Sequence, residues 1–137
     1  MRFAQIRDRV EAGAGRGAVD TSLLLGTWIN SNPETNGISR MVMSESGGKL
    51  KLQIVAVGPD GPIDWGTTDV TLLMSSPSSQ AAAGFTCSYD FGFVETRLQA
   101  MILKGLIVLA ELHGFKDDSN RADYFVREYF ALEHGRY

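Results

Sequence analysis

Side chains that could do chemistry occupy alternate positions in two neighbouring apolar segments. Glu111 and His113 are two residues apart, and Glu95, Arg97 and Gln99 form a second series at the same spacing. Residues two apart in a β-strand point to the same face. A histidine beside a carboxylate can act as a general acid or base, because its ordinary pKa lies near neutrality. Glu111 and His113 are therefore the catalytic candidates if the protein is an enzyme.

The second series suits ligand binding if its face points into the protein. A buried charge needs a partner, so Arg97 would pair with Glu95 or with Glu111. If the same face points to water, these residues are ordinary surface groups. The spacing of Glu111 and His113 does not demand a metal, even with His134 or Cys87 added, so we predict no metal and no cofactor.

Aromatic and amide side chains supply further ligand-binding candidates. Trp28 and Asn30 share one strand face, which suits a barrel floor and a hydrogen-bond donor to ligand. Three tyrosines could grip a flat molecule or serve as core or interface aromatics. These tyrosines are Tyr89, Tyr124 and Tyr129.

The elements that must position these residues read as short strands separated by turn signals. Gly47-Gly48 predicts a tight hairpin, because both glycines can adopt positive φ. Gly and Pro predict a stiff loop over 58–66, and small polar residues predict a mobile loop over 75–83. One continuous helix over 95–112 is the competing interpretation, which Gly105 disfavours. The eight predicted strands span 23–30, 38–46, 49–57, 67–74, 84–89, 94–103, 106–115 and 122–132.

Eight consecutive strands with mostly short connections predict an all-β, up-and-down antiparallel barrel over residues 21–137. Closing the sheet removes its sticky edges, and eight strands leave room for side chains or one small ligand. Residues 1–20 are predicted to form a short helix over 2–12 and a Gly-rich linker, acting as a lid or arm. A disordered tail is the alternative for that segment.

Bulk properties exclude several classes of protein. The 137 residues fit one domain. The net charge is −3 and there is no basic stripe, so nucleic acid is not an expected partner. Cys87 is the sole cysteine, which excludes an intrachain disulfide. The N-terminus lacks a secretory signal, and the apolar stretch 98–112 is too short to span a membrane, so a cytoplasmic protein is predicted. Residues 106–110 are apolar on both faces, which predicts a homodimer.

Gly26-Thr27-Trp28-Ile29-Asn30 resembles the opening strand of the calycin barrels, the lipocalins and avidins. The lipocalin resemblance implies that Trp28 closes one barrel end and packs on a basic residue, with Arg127 as first candidate and Arg121 as second. The avidin resemblance implies that Asn30 reaches the ligand cavity. The later tryptophans of an avidin pocket are absent, so biotin is not predicted.

The chain also resembles a group of small uncharacterised bacterial proteins with a Gly-X-Trp opening. That resemblance rests on three further segments and implies one intact domain without specifying an activity. The segments are Asp64-Trp65-Gly66, Tyr89-Asp90-Phe91-Gly92-Phe93 and Arg121-Ala122-Asp123-Tyr124-Phe125.

Three functions remain open from the sequence. The first is a binding protein that holds a small, mostly apolar or aromatic molecule inside the barrel, with Arg127 among the contacts. The second is a cofactor-independent cyclase or isomerase for a natural-product-like substrate, which a closed apolar site can fold into a reactive shape. The third is a structural or interaction protein whose barrel is filled by its own side chains.

Overall fold

The computed structural model describes residues 19–133, which form nine β-strands and no helix. The predicted helix over 2–12, most of the Gly-rich linker and His134 lie outside the described residues. The strands are β1 (Gly26–Asn30), β2 (Ile38–Ser46), β3 (Lys49–Gly58), β4 (Gly61–Asp69), β5 (Thr71–Met74), β6 (Ala82–Asp90), β7 (Val94–Leu103), β8 (Leu106–Phe115) and β9 (Tyr124–Leu132).

All nine strands belong to one antiparallel sheet that curls into a half-barrel. Its order is β4-β3-β2-β1-β9-β8-β7-β6-β5, so the first and last strands pair in the middle of the sheet. The fold is therefore all-β and compatible with a calycin-like barrel. The predicted closure by strand pairing is wrong for the described chain, because β4 and β5 stand at opposite ends of this order.

The predicted count of eight strands is also wrong, and the error lies between residues 58 and 74. The predicted loop over 58–66 is mostly strand β4, and the predicted fourth strand is split at Val70 into the end of β4 and β5. Pro62 is compatible with this strand because β4 is an edge, where a missing backbone N–H breaks no ladder. A register shift between Ile54 and Val55 accommodates the irregular sequence.

The predicted Gly47-Gly48 hairpin is confirmed, and Lys104-Gly105 forms a second tight turn. Gly47 and Gly48 have φ of 59° and 80°, and Lys104 and Gly105 have φ of 52° and 80°. Positive φ at both central residues matches the turn to the twist of the strands it joins. The second turn separates β7 from β8 and overturns the alternative of a continuous helix over 95–112.

Alternating side chains from most of the strands fill the middle of the half-barrel. Each of these core residues is at most 3% exposed, so the middle is packed rather than hollow. The core comprises Trp28, Met41, Met43, Leu52, Ile54, Phe85, Leu98, Ile107, Leu109 and Phe130.

One end of the half-barrel is closed by the segment that precedes β1. Leu24 is fully buried, and its carbonyl accepts a hydrogen bond from Trp28 Nε1 at 2.9 Å. Asp20 forms a parallel bridge with Ala81, the residue before β6. Trp28 is therefore buried where the chain enters β1, and the barrel-closing role that the resemblance implied stays a prediction. Within residues 19–133 there is also no helix of the length and apolarity needed to cross a membrane.

Side chains link β4 to β6 where no backbone ladder does. The Tyr89 hydroxyl donates a hydrogen bond to the Gly66 carbonyl at 2.9 Å. Trp65 packs edge-on against Tyr89 and Phe91, with ring centroids 5.5 and 5.1 Å apart. We call this junction the seam. Burial raises the pKa of Tyr89, so its hydroxyl remains a donor.

Candidate functional site

A polar cluster, which we call the inner cluster, lies inside the half-barrel at the end opposite Leu24. It comprises Asn30, Thr35, Thr96, Glu111, His113 and Glu128. Glu111 on β8 is only 2% exposed, although it carries a carboxyl group. Leu109 pairs with Glu128 on β9, and Glu111 pairs with Val126, so the two glutamates are diagonal neighbours on the inner face. Period-two alternation places them there among apolar residues.

Glu128 is held by donors from β1 and the loop that follows it. Its Oε1 accepts hydrogen bonds from Asn30 Nδ2 at 2.9 Å and Thr35 Oγ1 at 2.6 Å. Asn30 Nδ2 also donates to the Ile38 carbonyl at 2.8 Å. Burial opposes ionisation of Glu128, but hydrogen bonds from Glu111, Thr35 and Asn30 outweigh it and lower its pKa. Glu128 therefore remains a carboxylate that fixes the β1–β2 loop.

Glu111 is the neutral partner of this carboxylate. Burial, and then the neighbouring Glu128, raise the pKa of Glu111 to about 9. Glu111 Oε2 and Glu128 Oε2 are both buried, and no N–H or O–H group of residues 19–133 donates to either. A proton on Glu111 that is shared with Glu128 satisfies both oxygens, because a protonated carboxyl is a donor. The pair is thus a protonated carboxyl group hydrogen-bonded to a carboxylate.

His113 extends the chain of hydrogen bonds away from the glutamates. Its Nε2 lies 3.3 Å from Glu111 Oε1, and its Nδ1 lies 2.8 Å from Thr96 Oγ1. Burial lowers the pKa of His113, although the charge of Glu128 opposes the shift, so the ring is neutral. The consistent assignment has Thr96 donating to Nδ1 and Nε2–H donating to Glu111. Both nitrogens face inward, and an acid–base role for His113 and Glu111 remains a prediction.

A pocket of about 560 Å³ opens at the rim of the half-barrel, over the His113 ring. The ring stacks on Tyr124 with centroids 4.4 Å apart, and Tyr124 stacks in turn on Phe115 at 6.1 Å. We call this the rim pocket. It is lined by Glu95, Arg97, Leu112, His113, Gly114, Phe115, Lys116, Asp123, Tyr124 and Phe125.

Most charged groups of the rim pocket already have protein partners. Lys116 Nζ donates to Asp90 at 2.6 Å, and Asp123 Oδ1 accepts from the Phe115 N–H at 2.9 Å. Arg97 Nε donates to Glu95 at 3.0 Å, but the Arg97 side chain is 73% exposed. Because a guanidinium has five N–H donors, Arg97 retains donors for a ligand.

The structure separates the residues that the sequence grouped as ligand contacts. Tyr124 lines the rim pocket, and Glu95 and Arg97 border it from the outer face of β7. Asn30 belongs to the inner cluster, and Tyr89 belongs to the seam. The remaining four lie elsewhere. Trp28 is buried toward the opposite end, and Gln99, Arg127 and Tyr129 are on the outer face.

The expected packing of an arginine on Trp28 is not what the described residues show. Arg127 lies over the Phe125 ring at 5.9 Å, and Arg121 lies over the Phe115 ring at 4.3 Å. Arg127 is on the outer face of β9, whereas Trp28 points inward and is capped by Leu24. The alternation of strand faces therefore keeps them apart.

Glu128, Thr35 and Thr96 belong to the inner cluster but were not predicted from the sequence. Glu128 had a readable signal, because it stands at period two between Val126 and Phe130, both on the inner face of β9. Thr96 is 1% exposed and comes from the inner face of β7, opposite the series that was singled out. Thr35 lies in a loop, where strand alternation gives no guidance.

Cys87 on β6 is half-buried and packs against the core. Burial raises the pKa of its thiol to about 12, which disfavours the thiolate that a nucleophile needs. Within residues 19–133, no three His, Cys, Asp or Glu side chains are arranged to hold a metal ion.

Comparisons with known proteins leave the site to be interpreted from its own geometry. No model of a known protein family matches the chain. Searches of curated proteins and of solved structures also find no significant similarity.

Proposed function

We propose that this protein binds a small, planar, mostly apolar molecule in the rim pocket, through its aromatic rings and the Arg97 guanidinium. The observation that carries the proposal is the open pocket of about 560 Å³ lined by Phe115, Tyr124 and Phe125. This volume lies in the range of small-molecule sites, which combine apolar walls with few polar groups. We also propose, as the sequence indicates, that the fold is calycin-like and that the protein is cytoplasmic and homodimeric.

The chemistry of the pocket favours a ligand with a carboxylate or another anionic acceptor. Arg97 offers exposed donors beside aromatic surface, and a guanidinium binds carboxylates in bidentate geometry. Tyr124 provides a flat ring that is 49% exposed on the pocket side of the His113 stack. An aromatic carboxylate satisfies both features, because its ring stacks while its charge is paired.

The ligand position differs from the one expected from the sequence. The middle of the half-barrel is packed with its own side chains, so the rim is the place where a guest needs no rearrangement of the core. The inner cluster supports that rim, because Thr96 and Glu111 fix the His113 ring on which Tyr124 stacks. The pocket floor is therefore pre-organised, which reduces the entropy cost of binding.

Calorimetry with 2-naphthoate and its neutral analogue 2-naphthalenemethanol tests the proposal. Phe125→Ala should weaken both compounds by about tenfold or more, since a buried aromatic contributes about 1.5–3 kcal/mol. Arg97→Ala should weaken 2-naphthoate by about tenfold and leave the alcohol nearly unchanged. Ile63→Ala is the matched control, because Ile63 is 47% exposed on β4, outside the rim pocket.

Two results would refute this function. One is the absence of heat for both compounds with the wild-type protein. The other is an affinity for 2-naphthoate that is the same in Phe125→Ala and Arg97→Ala as in the control Ile63→Ala.

A further inference from the structure

The outer face of β7, β8 and β9 carries several exposed apolar side chains. Three cross-strand rows contribute them: Arg97 pairs with Leu112 and Leu112 with Phe125, Met101 pairs with Val108 and Val108 with Tyr129, and Leu103 pairs with Leu106. The row of Gln99, Ala110 and Arg127 lies between the first two. We call the five most exposed apolar members the outer patch. They are Met101 (58%), Leu103 (54%), Leu112 (47%), Phe125 (53%) and Tyr129 (43%).

The outer patch has the area that a stable dimer needs. About half of each of the five residues is exposed. If a large side chain has an accessible surface of about 150–250 Å², the exposed area is roughly 90 Å² for each residue. Their sum is roughly 450 Å². A standard interface buries about 800 Å² per partner, of which about 57% is apolar, or roughly 450 Å². The patch therefore supplies the apolar share of one such interface.

The surroundings of the patch favour a second copy of this chain over a membrane. Glu95 and Arg97 lie together at its border, and Arg127 crosses it beside Phe125. A two-fold interface brings such mixed charges opposite one another, whereas binding to an anionic bilayer calls for an excess of Lys and Arg. The chain as a whole has a net charge of −3.

The patch is continuous with the rim pocket. Leu112 and Phe125 belong to both, and Arg97 lies at their shared border. We propose that a second copy of this chain docks on the outer patch and forms the outer wall of the rim pocket. The part of this inference that concerns the pocket rests on the proposed function.

Tyr129→Glu separates the interface from the pocket, because Tyr129 is in the patch and does not line the pocket. Light scattering after size exclusion at about 10 µM should give a dimer for the wild type and a monomer for Tyr129→Glu. Ile63→Glu is the matched control and should stay dimeric, since Ile63 is equally exposed on β4. Far-ultraviolet circular dichroism checks that both variants are folded.

The same variants test the link to the pocket. The affinity for 2-naphthoate should fall about tenfold in Tyr129→Glu and remain unchanged in Ile63→Glu. A wild-type monomer would overturn the inference. This holds both if residues 1–18 cover the patch and if the protein sediments with phosphatidylcholine–phosphatidylglycerol vesicles. A dimer that Tyr129→Glu leaves intact would also overturn it. Dimerisation without 2-naphthoate binding would establish the interface and refute the pocket function.

Discussion

The proton shared by Glu111 and Glu128 should make the protein less stable as pH rises above neutrality. The pKa of Glu111 is about 9 in the folded protein, against an ordinary value of 4.5. Between these values the unfolded chain has released the proton and the folded chain retains it, so raising the pH favours unfolding. The contribution of Glu111 to stability is complete below its ordinary pKa. It is lost as the pH rises toward the pKa of Glu111 in the folded protein.

This effect dominates from about pH 7 to about pH 8.5, because the Cys87 thiol, whose pKa is also raised on folding from 9.0, adds a loss of the same sign mainly above that window. The pKa of His113 is lowered from 6.5 on folding, so its contribution is complete above that value and lost only on acidification. The lowered pKa of Glu128 likewise acts below 4.5. One retained proton gives a slope of about 1.4 kcal/mol per pH unit. The free energy of unfolding should therefore fall by about 2 kcal/mol across the window.

Glu111→Gln removes the titrating proton and keeps the shape, and its amide can donate to Glu128. Urea unfolding, followed by the fluorescence of Trp28 and Trp65, should show a flat pH profile for this variant. Glu95→Gln is the control, because it alters a carboxylate on the outer face and should retain the wild-type slope. A flat wild-type profile, or the same slope in Glu111→Gln, would show that no proton is shared in the cluster.

Two further substitutions test the seam and the packing of β6. Tyr89→Phe should lower the free energy of unfolding by about 1 kcal/mol, because it removes the hydrogen bond to the Gly66 carbonyl. Urea denaturation measures this, and an unchanged midpoint would mean that the seam contributes little. Gly84→Ala should cost about 3 kcal/mol, since its new Cβ would lie 2.2 Å from the Ala100 backbone oxygen. A thermal midpoint equal to that of the wild type would contradict the close approach of the two strands.

Strand pairing was predictable where alternation and turn chemistry agree. The predicted strands over 38–46, 94–103 and 106–115 match β2, β7 and β8 in both bounds. The errors fall around β4, where Gly61 and Gly66 have positive φ within the strand and Pro62 lacks a donor. Those residues ordinarily mark loops, and only the partner strand β3, with its register shift, keeps them extended.

The site was harder to predict because alternation fixes which residues share a face without fixing which face is inside. Glu111 and His113 were paired correctly, but Glu95 and Arg97 belong to the outer face of the neighbouring strand. The register between β8 and β9 decides that Glu128 lies beside Glu111, and that register is set by contacts between distant parts of the chain. The ligand role of all these residues stays a prediction.

The pairing of β1 with β9 bears on how the chain reaches its native topology. Among the nine described strands, it is the only ladder between strands that are not sequence neighbours, and it joins residues about 100 positions apart. All the other ladders are hairpins that form locally and quickly. Folding therefore requires two separate meanders, β1 to β4 and β5 to β9, to pair through β1 and β9. In a circular permutant that begins at β5, β9 and β1 become sequence neighbours and their pairing becomes local. Such a permutant should fold faster than the wild type.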